Sequence, residues 1–125
     1  MAASLNRPSL DAWLDEAKRS CDLSATGMFL VHNGVVRGTS RSGEIVSGMD
    51  LAVDRVRLDE IVESARLMEG VTYVRAWVNE GRLEVGDDIM YVVVAGDIRE
   101  HVFEALQALV KMIKSQVVRE FELPA

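Results

Sequence analysis

The segment that most restricts what this chain can fold into is Gly81 to Glu120, GRLEVGDDIMYVVVAGDIREHVFEALQALVKMIKSQVVRE. It reads as a turn, a strand, a capped helix and a closing strand in unbroken succession. Ile89 to Val94 is almost continuously apolar, as expected of a strand covered on both faces. Asp97 stands where a helix N-cap belongs, and Glu100, three residues on, completes a capping box. Val102, Phe103, Leu106, Leu109, Val110 and Ile113 recur at helical spacing and predict the buried face of that helix. The chain then closes on a short strand, Val117 to Leu123, before Pro124.

The rest of the chain supplies what such a segment packs against. Ser9 caps a predicted helix over Leu10 to Arg19, with Leu10, Trp13, Leu14 and Ala17 on one face. Thr26 to Arg37 is rich in β-branched residues and reads as a strand or a strand pair, with Asn33-Gly34 as a turn signal. Residues 38–48, GTSRSGEIVSG, carry few apolar side chains and predict a mobile surface loop. A second helix is expected from Asp54 to Glu69, its stripe formed by Leu58, Ile61, Val62, Ala65 and Met68, with Gly70 placed to end it. Val71 to Val78 predicts a strand and Asn79-Glu80-Gly81 a turn. The order helix, strand, helix, strand, strand, helix, strand gives an α/β or α+β class, with a mixed sheet under two long helices. A chain of 125 residues fits one domain over 1–125, with 1–25 as N-terminal helix and lead-in.

Several functions are excluded or disfavoured. The formal charge of −6 argues against general nucleic-acid binding, which needs an excess of Lys and Arg over phosphate. No apolar run reaches the length of a membrane span or a signal peptide. The one cysteine, Cys21, leaves no disulfide framework and fits a cytoplasmic location. His32 and His101 are far apart and lack partners at metal-ligand spacing, so neither a metal nor another cofactor is expected. Phosphate-binding glycine loops and a serine nucleophile elbow are absent.

The cations carry the remaining chemical signal. Arg37 ends a strand just before the glycine-rich loop. Arg99 lies in the first turn of a helix, where free N–H groups already favour an anion and a cation opposes the helix dipole. Lys114 closes the same helix, where a lysine complements the dipole, and Lys111 lies one turn earlier. Arg119 opens the final strand. A surface pair with Asp97 or Glu100 explains Arg99, the dipole explains Lys114, and a surface role is the default for Arg119, so none is decisive alone; together they make a basic pocket if the strand bearing Arg37 ends beside the last helix.

The sequence resembles the large subunit of molybdopterin synthase, the MoaE family, from about Gly27 to Glu120. The resemblance rests on Gly34-Val35-Val36-Arg37, on Leu58-Asp59-Glu60-Ile61-Val62, and on Gly81-x-Leu83-x-x-Gly86-Asp87-x-Ile89. It continues through Arg99 with Phe103-Glu104-Ala105, then Lys114 and Arg119-Glu120. It implies an α/β hammerhead fold and a homodimer. It also implies a small ubiquitin-like sulfur carrier whose C-terminal Gly-Gly thiocarboxylate delivers sulfur to cyclic pyranopterin monophosphate, giving the dithiolene of molybdopterin. By that resemblance Lys114 is the catalytic residue and Arg37 and Arg99 hold substrate anions; Lys111, by its place on the helix, and Arg119 are further candidates for substrate binding. Ile98 stands where the family has a histidine, and Val118 where it has a second lysine. Two functions therefore follow: sulfur transfer itself, or a non-catalytic homodimer that keeps the scaffold and binds an anionic small molecule or a partner protein.

Overall fold

In the computed structural model, which describes residues 7–125, the covered strand is β5, Asp88–Gly96. It runs antiparallel between β1, Met28–Val35, and β3, Val71–Val78. Its alternate side chains serve two cores. Met90, Val92 and Val94 point to one, while Tyr91 and Val93 point to the other, against Trp13. Trp13 belongs to α1, Leu10–Ser20, which Ser9 caps by accepting from Ala12 N at 3.2 Å. The guanidinium of Arg75 lies 4.5 Å over the Trp13 ring and pairs with Glu16, so cation–π and ionic contacts join apolar burial in seating α1. Residues 1–6 of the expected lead-in lie outside the described residues.

The opposite face is covered by α2, Arg55–Arg66, and α3, Arg99–Gln116. Asp54 caps α2 through Arg57 N at 3.0 Å, and the helix ends before Glu69 because Leu67 already leaves the ladder. A second sheet joins β2, Val46–Val53, to β4, Gly81–Glu84, on one side and β6, Val118–Pro124, on the other, again antiparallel. Met49, Leu51 and Leu83 of this sheet belong to the same buried cluster as Ile61, Val92 and Leu109, so one apolar core spans both sheets.

The α+β architecture agrees with the sequence; the single mixed sheet does not. The two helices explain why. α2 leads from β2 in the second sheet to β3 in the first, and α3 leads from β5 in the first sheet to β6 in the second. Neither returns the chain to the sheet it left, so no parallel pair forms among the described residues.

Four local expectations are also corrected. Asn33-Gly34 is not a hairpin turn: β1 runs through it, with a register shift at Gly34/Val35, and Asn33 Nδ2 donates to Asp88 Oδ1 at 3.0 Å. Residues 38–48 are not all loop, since Thr39 bridges Ile45 and β2 begins at Val46. Asp97 does not cap α3. Ile98 occupies that position without a side-chain bond, and Asp97 Oδ1 instead accepts from Ile98 N and meets His101 Nδ1 at 2.8 Å. Phe103 is 51% exposed, because the buried line of α3 runs through Val102, Ala105, Leu109 and Ile113, about 100° away.

Candidate functional site

The end of β1 is locked before it reaches Arg37. Val36 is buried, its N–H donates to Asp87 O at 2.9 Å, and its carbonyl accepts from Gly86 N at 2.8 Å. With its predecessor fixed on both backbone groups, Arg37 leaves the sheet in a set direction. Its Nε donates to Thr39 O at 2.9 Å, which leaves the outer guanidinium nitrogens available. Across from it, the last turn of α3 presents Lys114, whose Nζ donates to Glu120 Oε2 of β6 at 2.5 Å.

Between them lies an open cleft of about 760 Å³ at the junction of the two sheets. Val36, Met49 and Ile89 make its apolar floor, and Arg37, Arg41, Lys114, Glu120 and Glu122 its charged wall. Three cations face two carboxylates there, in a chain whose formal charge is −6. Low-dielectric walls with a local excess of positive charge concentrate small anions.

Of the residues singled out in the sequence, the fold brings Arg37 and Lys114 to this cleft. Arg99 stands at the other end of α3, about 22 Å from Lys114 along the helix axis at 1.5 Å per residue. The three cations therefore do not converge within one chain. Lys111 is exposed and does not line the cleft. Arg119 alternates with Glu120 along β6 and so faces away, lining a separate depression of about 420 Å³ with Asp54 and Gln116.

Three residues were missed. Glu120 was visible only as part of the closing Arg119-Glu120, and its grip on Lys114 needs the strand to turn back on the helix. Arg41 sits in the glycine- and serine-rich stretch, where its signal was a lone cation four residues after Arg37. His32, on β1, is near enough to Lys114 to feel it: burial first, then that positive charge, push its imidazole below the ordinary value. Beside His32, on the outer side of β1 and α3, lies a groove of about 380 Å³ lined by Leu30, Phe103, Leu106, Gln107 and Val110. Among the described residues no three His, Cys, Asp or Glu side chains gather as a metal site, and no helix is long and apolar enough to cross a membrane.

The family model for the MoaE protein matches residues 9–116. The chain belongs to the MoaE family. That family serves molybdenum cofactor biosynthesis. No curated protein matches by sequence. Among solved structures, molybdopterin synthase from Staphylococcus aureus superposes with a TM-score of 0.77 at 15% identity, covering 96% of this chain and 88% of that one. The MoaE protein of Burkholderia ambifaria MC40-6 gives 0.70 at 19%, covering 96% and 86%. A complex of subunits 1 and 2 of the molybdopterin-converting factor of Helicobacter pylori 26695 gives 0.68 at 19%, covering 90% and 74%. At these identities the likeness is one of fold, and the MoaE fold is the one built here from α1 to β6.

Proposed function

We propose that this chain is the large subunit of a molybdopterin synthase. It takes sulfur from the thiocarboxylated tail of a small carrier protein and passes it to cyclic pyranopterin monophosphate. The observation that carries the reading is the cleft in which Arg37 and Lys114 face each other over an apolar floor, with more positive than negative side chains. A phosphate and a thiocarboxylate are both anions, and a guanidinium offers them paired, charge-assisted hydrogen bonds. Lys114 is the residue for the acid–base or covalent step. Glu120 clasps it before substrate arrives, so the incoming anion must displace that carboxylate before the amine can act.

The reading includes a homodimer, and the outer groove of α3 supports it. Phe103, Leu106 and Val110 present an incompletely covered apolar stripe centred between residues 106 and 107. An isologous two-fold contact there pairs the stripe with itself, running the two helices antiparallel. Phe103 then meets the partner's Val110, and Arg99 comes level with the partner's Lys114. In this arrangement Arg99 serves the second copy's cleft, the only way a side chain about 22 Å from Lys114 in its own helix can join that chemistry.

Mixing the chain with a thiocarboxylated carrier and the pyranopterin precursor should yield dithiolene product. No product, under conditions where a standard large subunit turns over, removes the reading. The non-catalytic alternative is favoured by Ile98 and Val118 in place of the family's histidine and second lysine. It predicts precursor or carrier-tail binding by calorimetry with no turnover.

A further inference from the structure

Arg37 and Lys114 alone leave an anion under-served. Arg37 has committed its Nε to Thr39 O at 2.9 Å, and Lys114 gives one of its three N–H donors to Glu120 at 2.5 Å, a carboxylate that competes with an incoming anion. A phosphate with several acceptor oxygens asks for more donors than one remaining guanidinium edge provides. The cleft holds one more cation, and neither the sequence reading nor the family resemblance assigns it a role. Arg41 lines the same wall. Among the described residues neither Arg41 nor Arg37 has a carboxylate within ion-pair distance, although carboxylates outnumber cations 20 to 14 in this chain.

The backbone explains how Arg41 comes to face the cleft. Thr39 bridges Ile45, Val46 N donates to Gly38 O at 3.1 Å, and Ser40 N donates to Glu44 O at 2.8 Å. Gly43, at φ +90°, closes the tip by donating to Ser40 O at 3.0 Å, a conformation that favours glycine. The tip thus hangs on hydrogen bonds and not on apolar packing, since Ile45 at its base is 71% exposed. Arg37 and Arg41 bracket the near strand of this hairpin, and Arg37 is tied to it through the Thr39 carbonyl.

We propose that Arg41 is a second substrate-binding guanidinium, which grips the phosphate of the pterin substrate together with Arg37. This rests on the proposed function of the cleft and adds the residue that sets its preference for a phosphorylated pterin. Two planar forks on one hairpin hold a tetrahedral anion in a defined orientation, whereas a lysine supplies only a point charge.

Calorimetric titration of cyclic pyranopterin monophosphate into the wild-type chain, Arg41→Ala, Arg41→Lys and Arg37→Ala tests this. Arg41→Ala should bind about tenfold or more weakly, as expected for loss of charge-assisted hydrogen bonds. Arg41→Lys should recover part of the loss, and the unfolding temperature should not move, because Arg41 is exposed and, among the described residues, in no ion pair. If Arg41→Ala binds like wild type while Arg37→Ala is weakened, Arg41 has no such role and the cleft reading stands. If the wild type fails to bind, or neither arginine matters, both the role of Arg41 and the cleft reading fall.

Discussion

The two histidines sit in environments that shift them in opposite directions. His101 meets Asp97 at 2.8 Å and Glu69 at 3.4 Å. The hydrogen bond to Asp97 pushes its imidazole above the ordinary value of 6.5, and pairing with His101 in turn holds the Asp97 carboxyl below its ordinary value. His101 therefore adds stability below the free-imidazole value, and this is lost as pH rises through its folded value. Asp97 adds stability above the free-carboxyl value, lost as pH falls through its folded value. The pair acts between those limits. His32 is the reverse case. Burial and Lys114 lower its pKa, so its contribution is present above the free value and lost as pH falls through the folded one. Proton NMR titration of the two imidazoles should give a midpoint above 6.5 for His101 and below it for His32. A reversed order would contradict both assignments. The His101→Gln variant should lose stability relative to wild type at mildly acidic pH and little above the folded midpoint of His101, as read from urea unfolding at several pH values. At this scale the sequence displayed Arg37 and Lys114 because a strand end and a helix end are legible positions. It hid His32, whose only relevant neighbour is 82 residues away, and it hid which side of β6 Glu120 and Arg119 would take.

Among the elements, β3, β5 and α3 were readable because their apolar periodicity is strong. β2 and β4 were not. β2 contains Gly48 and Asp50, and β4 is four residues that begin at Gly81 and end two before Gly86, both glycines at positive φ. Both are strands because they pair, not because their residues prefer to be extended. The pairing is tight: a Cβ on Gly48 would stand 2.3 Å from the Leu83 carbonyl oxygen on β4. Gly48→Ala must push these strands apart and should cost about 1–3 kcal/mol, in the range of overpacked core substitutions. Because Gly48 and Met49 line the cleft, precursor affinity should fall with it. A urea midpoint equal to wild type would show that β2 and β4 are not held as described. The absent capping bond of α3 has the same lesson in reverse. Asp97 and Glu100 have the spacing of a capping box, but His101 offers Asp97 a better partner one turn on. Local pattern yields to a side chain that only the helix itself brings near.

At the level of the whole molecule, the class and the order of seven of the nine elements among the described residues followed from the sequence, whereas β2 and β4, and with them the division into two antiparallel sheets, did not. Nothing local tells a helix whether it returns to the sheet it left. The same gap separates the three expected cations from the two that meet. One helix carries Arg99 and Lys114, and its length fixes them apart within a single chain. The dimer proposed through Phe103, Leu106 and Val110 bears directly on this. Leu106→Glu places a charge at the centre of that stripe and should convert a dimer to a monomer in light scattering at micromolar concentration, with turnover lost alongside. A wild-type chain that is already monomeric would remove Arg99 from the site altogether.

The most direct measurement is a crystal structure of the wild-type protein with cyclic pyranopterin monophosphate bound. Its phosphate should lie within hydrogen-bonding distance of Arg37, with the pterin over the Met49 and Ile89 floor and the Glu120 contact to Lys114 opened. A ligand seated instead in the Arg119 depression, or bound with the Lys114–Glu120 pair intact and Arg37 untouched, would contradict the assignment of this cleft.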